Sequence, residues 1–183
     1  HCRLVNYVRI AVTDRCNLRC FYCMPEQGIQ YVDRHELLSY DELLRLVRIL
    51  VGLGVDKVRI TGGEPFVRRD MMYLLREMSR IAGIRQINLT TNGTTTAPHV
   101  PELKAMGIHS VNLSLDTIDR ERFFRITRRD VFPQVMETLE ALLSHGIRTK
   151  INAVVMEGQN IEDLIPLAEL AREKNLDVRF IEE

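Results

Sequence analysis

Short apolar, β-branched runs alternate along the chain with longer stretches whose apolar positions recur every three or four residues. The short runs predict strands near 6–13, 57–61, 85–91, 109–115, 148–155 and 177–182. The stretches between them predict amphipathic helices. The first opens at Ser39 with Glu42 three residues on, a capping-box pattern, and sets Leu43, Leu44, Val47, Leu50 and Val51 on one face before Gly52 and Gly54. Asp70 reads as the N-cap of a second helix, with Met71, Leu74, Leu75, Met78 and Ile81 inward. Pro98 suits the first turn of a third, and Asp119 caps a short piece through Ile126. Pro133 opens a longer helix that buries Val135, Met136, Leu139, Leu142 and Leu143. The last covers roughly 161–174, with Asp163 as its cap so that Pro166 falls where no intrahelical N–H is lost.

Six strands separated by helices are repeated βα units, which implies an α/β fold with a parallel sheet and right-handed crossovers. An open doubly wound sheet and a partial barrel both satisfy that count. The strands themselves favour the barrel. Strands covered on both faces read as continuous apolar runs, whereas these alternate. Val8, Ile10 and Val12 oppose Tyr7, Arg9, Ala11 and Thr13; Val58 and Ile60 oppose Lys57, Arg59 and Thr61. Ile87 and Leu89 oppose Asn88 and Thr90, and Val111, Leu113 and Leu115 oppose Asn112 and Ser114. Ile151 and Ala153 oppose Lys150 and Asn152, and Val178 and Phe180 oppose Arg179. Six polar faces fit around a shared wet interior, so the expected fold is a partial (β/α)6 barrel with a polar lumen, a single domain over residues 1–183. That lumen is cationic: Arg9, Lys57, Arg59, Lys150 and Arg179 point in, and Asp177 alone opposes them near one end.

The charge of the whole chain gives this local excess its meaning. Lys and Arg total 25 and Asp and Glu total 25, with an isoelectric point near 7.1. No global field attracts nucleic acid or an anionic membrane, so neither is expected as a partner. Positive charge gathered in one cavity of a neutral protein implies a small anion, and Arg forks and Lys point charges suit a polyphosphate. No apolar run approaches a membrane span of roughly 20 residues, and cytoplasm is the default compartment. The chain starts at His1 and stops inside an apparent strand, as expected of a fragment.

The candidate chemistry lies at the strand ends. Asp14–Pro25 reads D-R-C-N-L-R-C-F-Y-C-M-P and holds Cys16, Cys20 and Cys23 within eight residues. Such spacing points to metal rather than disulfides. A structural zinc site takes four protein ligands; three thiolates on a 4Fe–4S cubane leave one iron open for an external ligand. Cys2 reads as an incidental thiol. Ile60–Pro65, I-T-G-G-E-P, runs off the end of the second strand, and its glycines are expected to let a ligand approach bare backbone. T-T-N-G at 90–93 and S-L-D at 114–116 end the next two strands; alone, the first reads as a polar turn and the second as an approach to a helix. In parallel α/β folds these strand ends are where ligands gather.

Taken together, these motifs resemble the radical S-adenosylmethionine (SAM) superfamily. V-R-I-A-V-T-D-R-C-N-L-R-C-F-Y-C-M-P, R-I-T-G-G-E-P-F-V-R-R-D, L-T-T-N-G, V-N-L-S-L-D-T-I-D and V-R-F-I-E-E are similar to the GTP 3′,8-cyclases of molybdenum cofactor biosynthesis. The resemblance implies a lyase in which Cys16, Cys20 and Cys23 ligate a 4Fe–4S cluster, with SAM chelating the open iron and contacted by Tyr22, Gly63 and Ser114. It implies GTP as substrate, contacted by Arg9, Arg59, Thr90 and Lys150, with Arg179 and Lys57 as further phosphate candidates. It implies that one electron from a reducing donor would cleave SAM, that the 5′-deoxyadenosyl radical would take hydrogen from the GTP ribose C3′, and that the C3′ radical would attack guanine C8, leading after uptake of an electron and a proton to (8S)-3′,8-cyclo-7,8-dihydroguanosine 5′-triphosphate. No side chain is assigned a catalytic role, because the radical chemistry is the cofactor's. The family's second 4Fe–4S cluster is bound by three C-terminal cysteines that these 183 residues do not include, so the chain by itself is expected to bind SAM without full turnover. The sequence allows a homodimer. A radical SAM enzyme acting on peptides, or a non-catalytic metal-binding module, are the alternative readings.

Overall fold

The computed structural model describes residues 5–182; Cys2 and Glu183 lie outside them. Six strands form one sheet in chain order: β1 (Tyr7–Ala11), β2 (Lys57–Thr61), β3 (Gln86–Thr91), β4 (Ser110–Ser114), β5 (Arg148–Val155) and β6 (Leu176–Glu182). Every neighbouring pair is parallel. The sheet is an arc whose first and last strands do not pair with each other, so the barrel is open.

Helices α1 (Tyr40–Gly52), α2 (Met71–Ser79), α3 (Val100–Ala105), α4 (Arg120–Thr127), α5 (Phe132–Ser144) and α6 (Leu164–Glu173) occupy the connections. They cover the apolar strand face that period 2 assigns to the outside. Val58, Ile60, Leu89 and Val111 meet Leu43, Val47, Leu74, Leu75, Met78 and Leu103 in one cluster. Leu113 and Ile151 meet Phe123, Val135, Leu139 and Leu167 in a second. Each fully buried Leu or Ile here contributes about 1.5–3 kcal/mol relative to exposure.

The α1 capping box forms as expected: Ser39 Oγ accepts from Glu42 N at 3.2 Å, and the Ser39 N–H donates to Glu42 Oε2 at 2.7 Å. Asp119 likewise accepts from Arg122 N at 2.7 Å. Two expected caps are not made. Asp70 occupies the N-cap of α2, but its backbone is left-handed at φ 58° and its side chain makes no cap bond; the carboxylate pairs with Arg69 at 3.4 Å instead. Asp163 precedes α6 but sends its carboxylate to Arg122 at 2.5 Å, joining α4 to α6. In both cases the cap residue lacks the extended backbone that aims a side chain at the first-turn N–H groups. Pro98 lies in a short 3₁₀ turn, Ala97–His99, rather than in α3 itself.

Candidate active site

The cysteine loop after β1 is pinned from three sides. The first support comes from the glycines after β2. Gly63 N donates to Thr13 O at 2.7 Å and Glu64 N to Arg15 O at 2.8 Å, extending the β1–β2 pairing past the strand ends. A Cβ on Gly62 would stand 2.4 Å from Thr13 O, and one on Gly63 would stand 2.3 Å from Arg15 O. These glycines are thus required by the cysteine loop itself, independently of any ligand. The side-chain space they leave empty is filled by the cysteine loop's own backbone.

The second support comes from T-T-N-G. Asn92 Nδ2 donates to Asn17 Oδ1 at 2.8 Å and lies 3.7 Å from Cys16 Sγ. Asn17 Nδ2 donates to Thr94 Oγ1 at 2.6 Å. Beneath them Glu64 is buried and accepts from Asn92 N at 2.6 Å, Thr91 Oγ1 at 2.8 Å and Phe66 N at 3.1 Å. Burial dominates these bonds and pushes its carboxyl up to about 7.

The third support comes from β4 and α4. The Tyr22 hydroxyl donates to Asp116 Oδ2 at 2.7 Å, and Asp116 Oδ1 accepts from Val154 N at 2.8 Å at the end of β5. Asn160 closes this corner by donating to the carbonyls of Asp116 and Val154, both at 2.8 Å. At the C-terminal end of α4, Ile126 O and Thr127 O accept from Phe21 N at 3.1 Å and Arg19 N at 2.9 Å. The S-L-D stretch is thus a clamp as well as an approach to a helix. Sequence reasoning missed Asn17, Glu64, Asn92, Asp116 and Asn160 as loop anchors. The available signal was that Glu64, Asn92 and Asp116 follow strand ends closely; Asn17 and Asn160 lie further into their loops and carried none.

Within the loop, Cys16 and Cys20 are half-buried and Cys23 is exposed. Burial raises all three thiols; Cys20 is pushed up to about 12 by burial first, then by Asp116 and its two sister thiols. Three thiols each held up by burial require a positive centre if all are to ionise. Among the described residues no three His, Cys, Asp or Glu side chains converge on one point that a single metal ion would occupy. A cubane takes one thiolate per iron, so Cys16, Cys20 and Cys23 are the residues that could hold a cluster.

Below the loop lies a cavity of about 420 Å³ lined by all six strands. Arg9, Arg59, Thr90 and Lys150 line it together with Lys57 and Arg179, as period 2 predicts. Tyr7, placed on the inward face by the same alternation, joins them, as do Gln86 and Arg148 at the strand starts, which the alternation carried back two residues would have found. Arg59 is already oriented: it donates to Tyr7 Oη at 3.0 Å and Leu89 O at 2.8 Å. Lys150 pairs with Asp177 at 3.2 Å, and Arg148 with the same oxygen at 3.5 Å. The predicted SAM contacts stand higher. Gly63 follows β2, Ser114 ends β4, and Tyr22 comes from the cysteine loop. A larger cavity of about 650 Å³ lies at the opposite ends of β5 and β6, around Glu140, Leu143 and Lys174, away from every loop described above.

Comparison with known proteins places the chain in a family. The chain is 47% identical over 183 residues to a GTP 3′,8-cyclase of Syntrophomonas wolfei, covering all of this chain and 56% of that protein. It is 41% identical over 176 residues to the molybdenum cofactor biosynthesis protein moc-5 of Caenorhabditis elegans, covering 96% of this chain and 29% of that one. The chain thus spans about half, or less, of the curated relatives it matches. Among solved structures, SuiB of Streptococcus suis bound to S-adenosylmethionine superposes with a TM-score of 0.77 at 23% identity, covering 97% of this chain and 40% of SuiB. Methylornithine synthase (PylB) gives 0.75 at 17%, covering 96% and 52%. Both show the same fold. The family model for the radical SAM superfamily matches residues 10–171, from β1 into α6 and across every loop that holds the cysteines in place; the chain belongs to the radical SAM superfamily.

Proposed function

We propose that this chain is the radical SAM core domain of a GTP 3′,8-cyclase. The observation that carries the reading is the cationic cavity directly beneath the cysteine loop. A radical SAM site needs room for a second molecule next to SAM. Here that room is lined by Arg9, Lys57, Arg59, Lys150 and Arg179 in a chain of no net charge, the arrangement a nucleoside triphosphate demands and a peptide does not. The naming of its relatives supports the same substrate.

Cys16, Cys20 and Cys23 would hold the cluster, which supplies the electron that cleaves SAM when both are bound. Gly63, Tyr22 and Ser114 would hold SAM above the cavity. Arg59, fixed by Tyr7 and Leu89, would present its guanidinium to phosphate without losing side-chain freedom on binding. Arg9, Thr90 and Lys150 would complete the grip on GTP, and the arc of strands would keep water from the reacting carbon. A reducing electron donor, a cytoplasmic setting and a homodimer belong to this reading as proposals. The second cluster expected of the family would lie in sequence beyond residue 183. No helix among the described residues is long and apolar enough to cross a membrane.

Anaerobic reconstitution with iron and sulfide tests the reading. The expected product is an iron–sulfur chromophore that SAM perturbs, together with GTP binding. Cys20→Ala abolishes the chromophore and SAM cleavage. Arg59→Ala retains both and weakens GTP by about tenfold or more, the loss expected of one charged hydrogen-bonding group. A colourless zinc protein, or SAM cleavage surviving in Cys20→Ala, would overturn the assignment.

A further inference from the structure

A second group of cations lies outside the cavity, against the cysteine loop. Arg19, Arg125, Arg128 and Arg129 line a depression of about 340 Å³ together with Phe124 and Glu26. It shares no residue with the cavity beneath the loop, so a nucleotide bound there does not account for it. Phe124 and Arg125 also line a neighbouring depression of about 600 Å³, where Arg120 is held by Asp130 through two hydrogen bonds of 2.9 Å. Arg19, Arg125, Arg128 and Arg129 differ from Arg120. None of the four forms an ion pair with an acid among the described residues. Four arginines against one glutamate, in a chain of zero formal charge, make a local positive surface.

The end of α4 does not explain them. Cations near a helix C-terminus offset its dipole, an effect worth about 0.3–1 kcal/mol. Here the terminal carbonyls are already paired: Ile126 O and Thr127 O accept from the cysteine loop, and Phe124 O accepts from Arg128 N at 2.7 Å. Arg128 moreover holds left-handed backbone, at φ 56°. Glycine would make this turn without the roughly 1–2 kcal/mol that a side chain costs there. What arginine adds is its guanidinium, which donates to Met24 O at 3.4 Å. Met24 directly follows Cys23, and Arg19, whose N–H donates to Thr127 O at 2.9 Å, directly precedes Cys20. The positive surface is thus joined through backbone to two of the three cysteines, and Cys23 is itself exposed.

We infer that this surface docks an acidic one-electron carrier protein, which passes its electron to the cluster through the cysteine loop. The inference rests on the assignment of Cys16, Cys20 and Cys23 to a cluster. In the step the carrier is oxidised by one electron and the cluster is reduced by one, with no proton or group moving. A carrier must arrive, discharge and leave, which suits a small interface steered by charge around an apolar contact. Phe124, 51% exposed between the two depressions, supplies that contact. A single-stranded nucleic acid would need aromatic side chains in series to stack on, and Phe124 is the one aromatic lining the surface.

The test uses an acidic FMN-containing carrier protein as probe and a basic haem carrier of similar size as control. One measurement is binding of the oxidised probe to the cluster-free chain, read by flavin fluorescence. The other is the stopped-flow rate at which the reduced probe bleaches the cluster-loaded chain, set against the rate with dithionite. The wild type binds the acidic probe and not the basic control, and its reduction by the probe slows about tenfold or more between roughly 0.02 and 0.3 M salt. Arg125→Glu combined with Arg129→Glu loses probe binding, slows reduction by the probe about tenfold or more and flattens the salt dependence, while dithionite acts within about twofold of its wild-type rate. Arg125→Gln with Arg129→Gln decides the matter in the same direction if the reversed pair does not fold. If the probe reduces wild type and variant alike, or salt leaves the rate unchanged, the proposal is wrong. Retention of single-stranded RNA by the wild type without probe binding gives the surface to nucleic acid and also overturns it. If dithionite bleaches a chromophore and the probe does not, the docking surface falls and the cluster stands. If no chromophore forms, the cluster assignment falls and takes the electron route with it.

Discussion

At the scale of single residues, Glu64 carries the most chemistry that the cofactor does not supply. It is buried beside the cysteine loop and takes three hydrogen bonds, yet its carboxyl is raised from 4.5 to about 7 because desolvation outweighs them. The folded state therefore holds a proton there more tightly than the unfolded chain does. The stability this contributes is full below about pH 4.5 and is lost as pH rises through about 7, so the apo protein should weaken by about 3 kcal/mol across that window. Urea unfolding of the cluster-free protein between pH 5 and 8 reads this directly. Glu64→Gln cannot ionise and should flatten the profile, at a cost of about 1–3 kcal/mol near pH 5, because its amide faces a backbone N–H that the carboxyl accepts from. An unchanged pH slope in the variant would place the titrating group elsewhere. The sequence displays Glu64 in T-G-G-E-P but not its burial, since two of its three partners, Thr91 and Asn92, lie in another strand's loop.

At the scale of elements, the strands were legible because each has one apolar and one polar face, so alternation exposed both the fold and the lumen. Helix positions were legible for the same reason, and the Ser39–Glu42 box marked its start within a residue. The loop anchoring was not legible. Asn17 meets Asn92, Tyr22 meets Asp116, and Phe21 meets the end of α4; pairs so distant in sequence leave no local periodicity. Nor could composition tell that Asp163 would serve Arg122 rather than its own helix. The glycine motif shows the same limit, because its residues were visible while the neighbour they admit was not. Gly63→Ala tests that neighbour. Its Cβ would press on Arg15 O at 2.3 Å and Arg15 C at 2.6 Å, backbone atoms that have no rotamer to retreat to. The variant should lose about 1–3 kcal/mol and displace the loop, lowering iron bound after reconstitution. Gly52→Ala is the matched control: nothing lies within 4 Å and it sits at the end of α1, so stability should hold or rise by up to about 1 kcal/mol. Equal iron content in the two variants would mean that the glycine does not set the loop's position.

At the scale of the whole molecule, the open arc concentrates charge that the sequence total conceals. Six cations, Arg9, Lys57, Arg59, Arg148, Lys150 and Arg179, line one cavity of a chain whose formal charge is zero. Asp177 is the acid set among them, and its contacts with Lys150 and Arg148 hold its carboxyl below the usual range. Under the proposed reading it occupies the Lys150 ammonium that an incoming phosphate would need, so binding would exchange one anion for another. Asp177→Asn removes the competitor without changing the shape of the wall. Because Asp177 is half exposed, the pair it breaks is worth no more than about 1 kcal/mol. GTP should then bind about two- to fivefold more tightly at low salt, with the gain fading as ionic strength rises and the Debye length shrinks below about 10 Å. GMP, which brings fewer charges to the same wall, should gain less. A titration of both nucleotides at two salt concentrations decides the matter: if the variant binds GTP more weakly than wild type, Asp177 is part of the grip on the nucleotide rather than a stand-in for its phosphate.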